Sequence, residues 1–306
     1  MRTVRAITVG LLASAAVATA CGSSDSAADP TTTSAAPTTT AAVTTTAAEA
    51  STGPITIMPL GDSLTAGDDA EVATQPQSYR GYLHAMLTEA GYDVDMVGSQ
   101  SSPAVGDLAD DPDPDHEGHG GFTIGPDESA LCDGCQPSPA NLSAHVEEWL
   151  ATPPDVILLM AGVNDMLPEP EPTETGYYRP VDPADAAGKL GDLVDQIAAL
   201  APDSTIVVGS YPPIGFLVDM NNPALAEGAE AFADLNQAAA DLGAADPDDD
   251  IFSAPIRTEL DESWSEDPGA PDSDVIGDGL HPSPQGAEKI AEVWFDTLTP
   301  ILDQLA

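Results

Sequence analysis

Ile55-Thr56-Ile57-Met58-Pro59-Leu60-Gly61-Asp62-Ser63-Leu64 runs from an apolar stretch straight into a glycine, an acid and a serine. The run 55–58 predicts a strand, and its continuous apolar character suits one buried on both faces of a parallel sheet. Gly61 gives the following turn conformational freedom. Ser63 stands just past the end of the strand-like run. If a helix opens there, its unsatisfied N–H groups and positive dipole end would stabilise negative charge developing beside Ser63. The plainer reading is that Asp62-Ser63 only caps that helix.

Outward from this stretch, strand-like runs recur at 94–97, 156–160, 206–208 and, more weakly, 251–252. Helical patterns fall between and after them, at 79–90, 141–150, 183–200, 224–242 and 284–302. In the last, Ile290, Val293, Trp294, Leu298 and Ile301 recur at three- and four-residue steps. Ser283 can cap that helix, and Pro284 suits its first turn. The alternation predicts a doubly wound α/β domain whose site lies at the carboxyl ends of the strands. Long loops at 99–125, 167–181 and 259–279 would crowd that edge.

Three further fragments supply chemistry. Gly120-Gly121 lies in the first long loop. Gly162-Val163-Asn164-Asp165 directly follows the run 156–160, so the Asn164 amide would project at the catalytic edge and could donate to an oxyanion. Gly121 can donate a backbone N–H, and its missing side chain allows close approach. Asp165 is expected to brace its turn. Asp278-Gly279-Leu280-His281 places an acid three residues before a histidine. On a turn the carboxylate can reach Nδ1–H and leave Nε2 aimed at a serine. The chain has five histidines. His84 and His145 lie inside helical patterns, while His116 and His119 share the loop of the two glycines and compete for the role of base.

Gly-Asp-Ser-Leu, the later glycine, Gly-x-Asn-Asp and Asp-x-x-His, in this order across residues 55–281, resemble the four blocks of the SGNH (GDSL-type) hydrolases. The resemblance implies a flavodoxin-like three-layer α/β/α fold with a five-stranded parallel sheet. It implies Ser63 as nucleophile, His281 as base and Asp278 as third triad member. The oxyanion hole would be the Ser63 N–H, the Gly121 N–H and the Asn164 side chain, with no cofactor and no metal. The stretch His116-Glu117-Gly118-His119-Gly120-Gly121-Phe122-Thr123-Ile124 resembles the His-Glu-Gly-His-Ser-Gly-Trp-x-Ile segment of acetyl-xylan-esterase-like members. Gly120 replaces the serine and Phe122 the tryptophan. That alignment selects Gly121 over Gly120.

Before the domain, Met1–Arg5 carries two arginines, and 6–20 is small and apolar, too short to span a bilayer. Residues 1–20 read as a secretory signal. Cys21 follows Ala18-Thr19-Ala20 as in a bacterial lipobox, with Ala18 where leucine is usual, so Cys21 is the expected lipidation site of an exported lipoprotein. Ordinary signal cleavage and free secretion is the alternative. Residues 21–53 are a Thr/Ala/Ser/Pro-rich stalk with too little apolar surface to offset ordering entropy. The hydrolase domain is then 54–306. Cys132 and Cys135, spaced C-x-x-C, are expected to form a small disulfide outside the cytoplasm. A zinc site from His116, His119, Cys132 and Cys135 is the competing arrangement.

Seven basic against 52 acidic residues give a formal net charge of −45. That excludes a basic nucleic-acid surface and disfavours anionic lipid. The composite expectation is a serine carboxylic ester hydrolase that removes acetyl groups from extracellular carbohydrate. Membrane contact would come only through the N-terminal lipid. A lysophospholipase or broad lipid esterase is an alternative, and so is an inactive glycan-binding surface lipoprotein.

Overall fold

A computed structural model describes residues 53–67, 78–104, 111–126, 140–166, 185–214, 226–244, 250–265, 267 and 270–306. Cys21, Cys132 and Cys135, the signal and stalk up to residue 52, and the loop 167–181 lie outside the described residues.

Seven strand segments form the sheet: β1 (Ile55–Gly61), β2 (Val94–Met96), β3 (Gln100–Ser101), β4 (Asp115–Gly118), β5 (Val156–Met160), β6 (Thr205–Gly209) and β7 (Ile251–Ala254). The order is β3-β4-β1-β5-β6-β7, with β2 also paired to β1. All pairs are parallel except β3 with β4. The expected five strand positions become seven segments because one position is split between β2 and β4 and β3 adds an antiparallel edge beyond β4. β2 pairs with the first half of β1, at Ile55–Ile57, and β4 pairs with its end, at Leu60 and Gly61. The main-chain groups of Ile55, Ile57 and Gly61 face this shared edge, through Ile55 N–H to Asp93 O, Val97 N–H to Ile57 O and His119 N–H to Gly61 O. Pro59 falls at the gap between the two segments, where a missing N–H leaves no ladder bond to lose. β4 has no apolar run, and charge and histidine hid it from the hydrophobic pattern.

Among the described residues seven α-helices accompany the strands: α1 (Ser63–Ala66), α2 (Tyr79–Ala90), α3 (Val146–Trp149), α4 (Ala186–Leu200), α5 (Ala226–Leu242), α6 (Ile256–Leu260) and α7 (Pro284–Leu305). The expected helix at 141–150 is instead a 3-10 turn, Leu142–Ala144, followed by α3, with His145 between them. Asn141 caps the 3-10 turn, its side chain accepting from Ala144 N–H at 3.0 Å. The last helix runs three residues beyond the expected 302.

The chain moves one way from β1 to β2 and the opposite way through β5, β6 and β7. Right-handed crossovers then place α2 on one face and α3, α4 and α5 on the other. α2 packs on α7, and α4 packs on α5. The core between these layers includes Ile57, Leu60, Leu83, Leu158, Val207, Phe232, Ile290 and Trp294. The strand order reverses between β1 and β5, where an open α/β sheet leaves a crevice at its carboxyl edge.

Candidate active site

The nucleophile turn is built from close approaches. A Cβ on Gly61 would collide with the Met160 carbonyl and Thr65 Oγ1, and one on Gly118 with the backbone of Ala66. β1, β5, β4 and α1 therefore converge at a point where side chains do not fit. Asp62 caps α1, accepting from Leu64 N–H at 3.0 Å. Gly67 closes the helix at φ 73°, donating to Ser63 O at 2.8 Å. Arg80, almost fully buried, donates to Thr65 O and Ala66 O at 2.8 and 3.0 Å, and to Ser102 O and Pro114 O. One guanidinium thus satisfies the last carbonyls of a four-residue helix that would not persist alone.

His281 Nε2 lies 2.9 Å from Ser63 Oγ, and His281 Nδ1 lies 2.6 Å from Asp278 Oδ2. A carboxylate can only accept, so the Nδ1 proton points to Asp278 and Nε2 is left to accept from the serine hydroxyl. Asp278 Oδ1 also accepts from Leu280 N–H and His281 N–H, at 2.8 and 3.0 Å. Partial burial pushes the Asp278 carboxyl up, but the bond from His281 and these two backbone bonds outweigh it and hold the group below its ordinary value. The structure therefore brings together Ser63, His281 and Asp278 in one line.

The segment that carries the acid and base is latched to α7. Asp274 is fully buried and accepts from Ser265 N–H, Gln285 Nε2 and Lys289 Nζ, at 2.7, 3.0 and 2.7 Å. Its carbonyl accepts from Ser283 N–H, and a Cβ on Gly286 would strike that carbonyl. Ser283 caps α7 as expected, accepting from Gly286 N–H.

Asn164 sits in the 3-10 turn Val163–Asp165 that follows β5. Its Nδ2 donates to Phe122 O at 2.9 Å, which uses one of two amide hydrogens. Gly121 has φ 77° in the turn closed by Phe122 N–H to His119 O. Asp165 braces the neighbouring loop, accepting from Ile124 N–H at 3.0 Å with Lys189 at 3.9 Å.

The competing histidines are otherwise engaged. His116 Nδ1 accepts from Gly118 N–H and its Nε2 donates to Ser102 Oγ. Burial first, then the nearby Arg80 charge and His119, push its pKa down to about 3. His119 bonds Glu117 through Nε2 at 2.6 Å and stacks on Trp149. His84 faces Asp113 at 3.5 Å, and His145 stacks on Trp149. Among the described residues no cluster of three or more His, Cys, Asp or Glu could hold a metal ion. The zinc arrangement also needs Cys132 and Cys135, which are not among them.

Sequence reasoning missed the Asp62–Tyr211 pair. Tyr211 Oη donates to Asp62 Oδ2 and accepts from Val163 N–H at 3.1 Å. It thereby joins the nucleophile turn to the Asn164 turn. Burial pushes the Asp62 carboxyl up to about 6, although Tyr211, Leu64 N–H, the His281 charge and Gly162 N–H all pull it down. The one available signal was a hydroxyl just past the strand-like run 206–208.

Comparison with known proteins gives the family. A family model described as GDSL-like Lipase/Acylhydrolase family matches residues 60–289. The structure of a Clostridium thermocellum family 3 carbohydrate esterase is 30% identical, with a TM-score of 0.55 over 83% of this chain and 99% of that one. A carbohydrate esterase family 3 structure from Talaromyces cellulolyticus is 19% identical, with a TM-score of 0.55 over 82% of this chain and 100% of that one, and shares the fold. A curated relative from Acetivibrio thermocellus, named "Putative endoglucanase X", is 27% identical over 166 residues, 54% of this chain and 59% of its own length. The chain thus spans under two thirds of that relative. With a family match across both ends of the Ser63–His281–Asp278 line, this chain belongs to the GDSL-like lipase/acylhydrolase family of carboxylic ester hydrolases.

Proposed function

We propose that this protein removes acetyl groups from carbohydrate through an acyl-enzyme on Ser63. The observation that carries the chemistry is the continuous Asp278–His281–Ser63 relay, at 2.6 and 2.9 Å. Ser63 Oγ attacks the ester carbonyl while His281 Nε2 takes its proton. The carbon–oxygen bond to the sugar breaks as His281 returns the proton to the leaving alcohol. Water then attacks the acyl-serine by the same proton path and releases acetate. The Ser63 N–H, the Gly121 N–H and the second Asn164 amide hydrogen are the proposed oxyanion donors.

The carbohydrate part rests on the 30% identity to a family 3 carbohydrate esterase and on the 116–124 stretch. Hydrolysis of acetylated xylan beside a series of p-nitrophenyl esters of rising acyl length tests it. Release of acetate from xylan with a steep fall beyond acetyl supports the reading. Preference for long acyl chains with no release from xylan turns it into a lipid esterase. A protein that binds glycan but resists a fluorophosphonate and cleaves no ester is the inactive binder. We further propose export by residues 1–20 and lipid anchoring at Cys21, supported by the lipobox-like Ala18-Thr19-Ala20-Cys21. Cys21→Ser should move the activity from membrane to soluble fraction, and mass spectrometry of an unmodified mature Cys21 would refute the anchor.

A further inference from the structure

The turn that carries the nucleophile and the turn that carries the Asn164 amide meet at one buried carboxylate. β1 and β5 are parallel neighbours whose ends lie side by side, at Gly61 and Met160. Asp62, fully buried, accepts from Leu64 N–H at 3.0 Å and from Gly162 N–H. The next amide, Val163 N–H, donates to Tyr211 Oη at 3.1 Å, and that hydroxyl donates to Asp62 Oδ2. Two successive N–H groups ahead of Asn164 thus converge on the acid ahead of Ser63, the first directly and the second through a phenol.

Tyr211 is itself held from a third direction. Its backbone N–H donates to Asn236 Oδ1 at 2.7 Å, and Asn236 Nδ2 donates to Phe232 O at 3.0 Å within α5. Its ring lies 6.0 Å from that of Phe232. Gly162 stands at φ 126°, and a Cβ there would strike Leu235 Cδ2 on the same helix at 2.7 Å. Burial first, then the Asp62 charge, push the Tyr211 hydroxyl well above its ordinary value, so it keeps the proton that it donates. A buried phenol needs a partner in any fold. One that bridges two backbones also fixes the distance between them, and these two carry proposed oxyanion donors.

We infer that Tyr211 is a positioning residue whose hydroxyl sets the spacing between the Ser63 turn and the Asn164 turn, and so where the Ser63 N–H and the Asn164 amide stand around one oxyanion. The inference rests on the acyl-transfer reading of the site. Tyr211 acts through Asp62 and Val163, not on the reacting atoms. Asn164 is also tied to Phe122 O, and Gly162 to Asp62, so loss of the hydroxyl loosens the spacing without abolishing the site. A shift of about 1 Å is enough to weaken a preorganised donor.

The test is a double-mutant cycle on the whole chain: wild type, Tyr211→Phe, Asn164→Ala and the double variant. The readouts are kcat and KM on p-nitrophenyl acetate, the rate at which a fluorophosphonate labels Ser63, and Tm. The phosphoryl oxygen of that probe occupies the oxyanion position, so its rate reports on the donors. Tyr211→Phe keeps the ring against Phe232 and loses only the hydroxyl. It should lower kcat and the labelling rate together by about tenfold, with KM within about twofold. In the Asn164→Ala background the same substitution should cost less than about threefold, because the amide that it positions is gone. If Tyr211→Phe does not fold, Asp62→Asn takes its place in the cycle, since its amide has one acceptor oxygen where the carboxylate uses one for Leu64 and the other for Tyr211. A kcat and labelling rate within about twofold of wild type overturn the inference, whatever the Tm, and so does a loss that is just as large without Asn164. Wild-type protein that resists the probe and cleaves no ester overturns the acyl-transfer reading first, a separate and recognisable failure.

Discussion

Ser63 stands on the turn between β1 and α1, whereas Asp278 and His281 stand on a segment that begins far later, ahead of α7. Ser63 is 8% exposed and enclosed by backbone, with glycines where a Cβ would collide with a neighbouring strand or helix. The Asp278 and His281 side chains are 23% and 18% exposed and sit on a loop closed by Ile276 N–H to His281 O and tied to α7 through the buried Asp274. Local geometry sets the first, because a strand entering a helix leaves few positions for the next residue. A long-range latch sets the second, because nothing within Asp-Gly-Leu-His aims it at Ser63.

Substitution at each side should separate chemistry from placement. Ser63→Ala removes the nucleophile, and turnover should fall on the order of a million-fold with the fold intact. Retention of a tenth of wild-type activity would end its assignment. On the loop side, Asp278→Asn keeps the shape but deprives His281 of its acceptor, and kcat should fall about 10⁴-fold. Asn164→Ala removes one donor from the turn between the two regions. It should cost about 100- to 1,000-fold, mainly in kcat. A rise in KM alone would make Asn164 a ground-state contact.

The buried nucleophile side also carries a pH signature. Because Asp62 is raised to about 6 from 3.8, the folded state holds its proton where the unfolded chain has lost it. Stability is then full below 3.8 and falls as pH rises towards 6, by about 3 kcal/mol in total. Asp62→Asn should flatten this part of a denaturant-derived stability curve, and a curve unchanged by the substitution would show that another group sets it. The smallest effect belongs to the latch. Lys289→Met leaves the Asp274 carboxylate with two of its three donors, Ser265 N–H and Gln285 Nε2, at a cost of about 1–3 kcal/mol and about 2–4 °C of Tm per kcal/mol. A larger fractional loss in kcat than in stability at assay temperature would show that the latch also aims His281. Equal kcat would confine it to folding.

How much of this could be read in advance depended on the range of the interaction. The alternation of apolar runs and helical patterns located β1, β5, β6, α2 and α7, because burial on a sheet imposes local composition. It could not show β4, whose Asp115-His116-Glu117-Gly118 carries no apolar signal and becomes a strand only by lying along the end of β1. Nor could it show the break at His145, between the 3-10 turn Leu142–Ala144 and α3.

At the site, the residue types and their order already stated the chemistry: a serine after a strand, an amide after another, an acid three before a histidine. The sequence likewise pointed to Gly121 as an expected backbone donor. The family resemblance already pointed to His281; only the tertiary structure decided how it meets Ser63 from 218 residues away, on a segment latched to α7. It alone assigned Arg80, Tyr211 and Asp274 to the support of the site. Each is a polar side chain whose partners come from distant segments, and burial makes those partners obligatory only once the chain has folded around them.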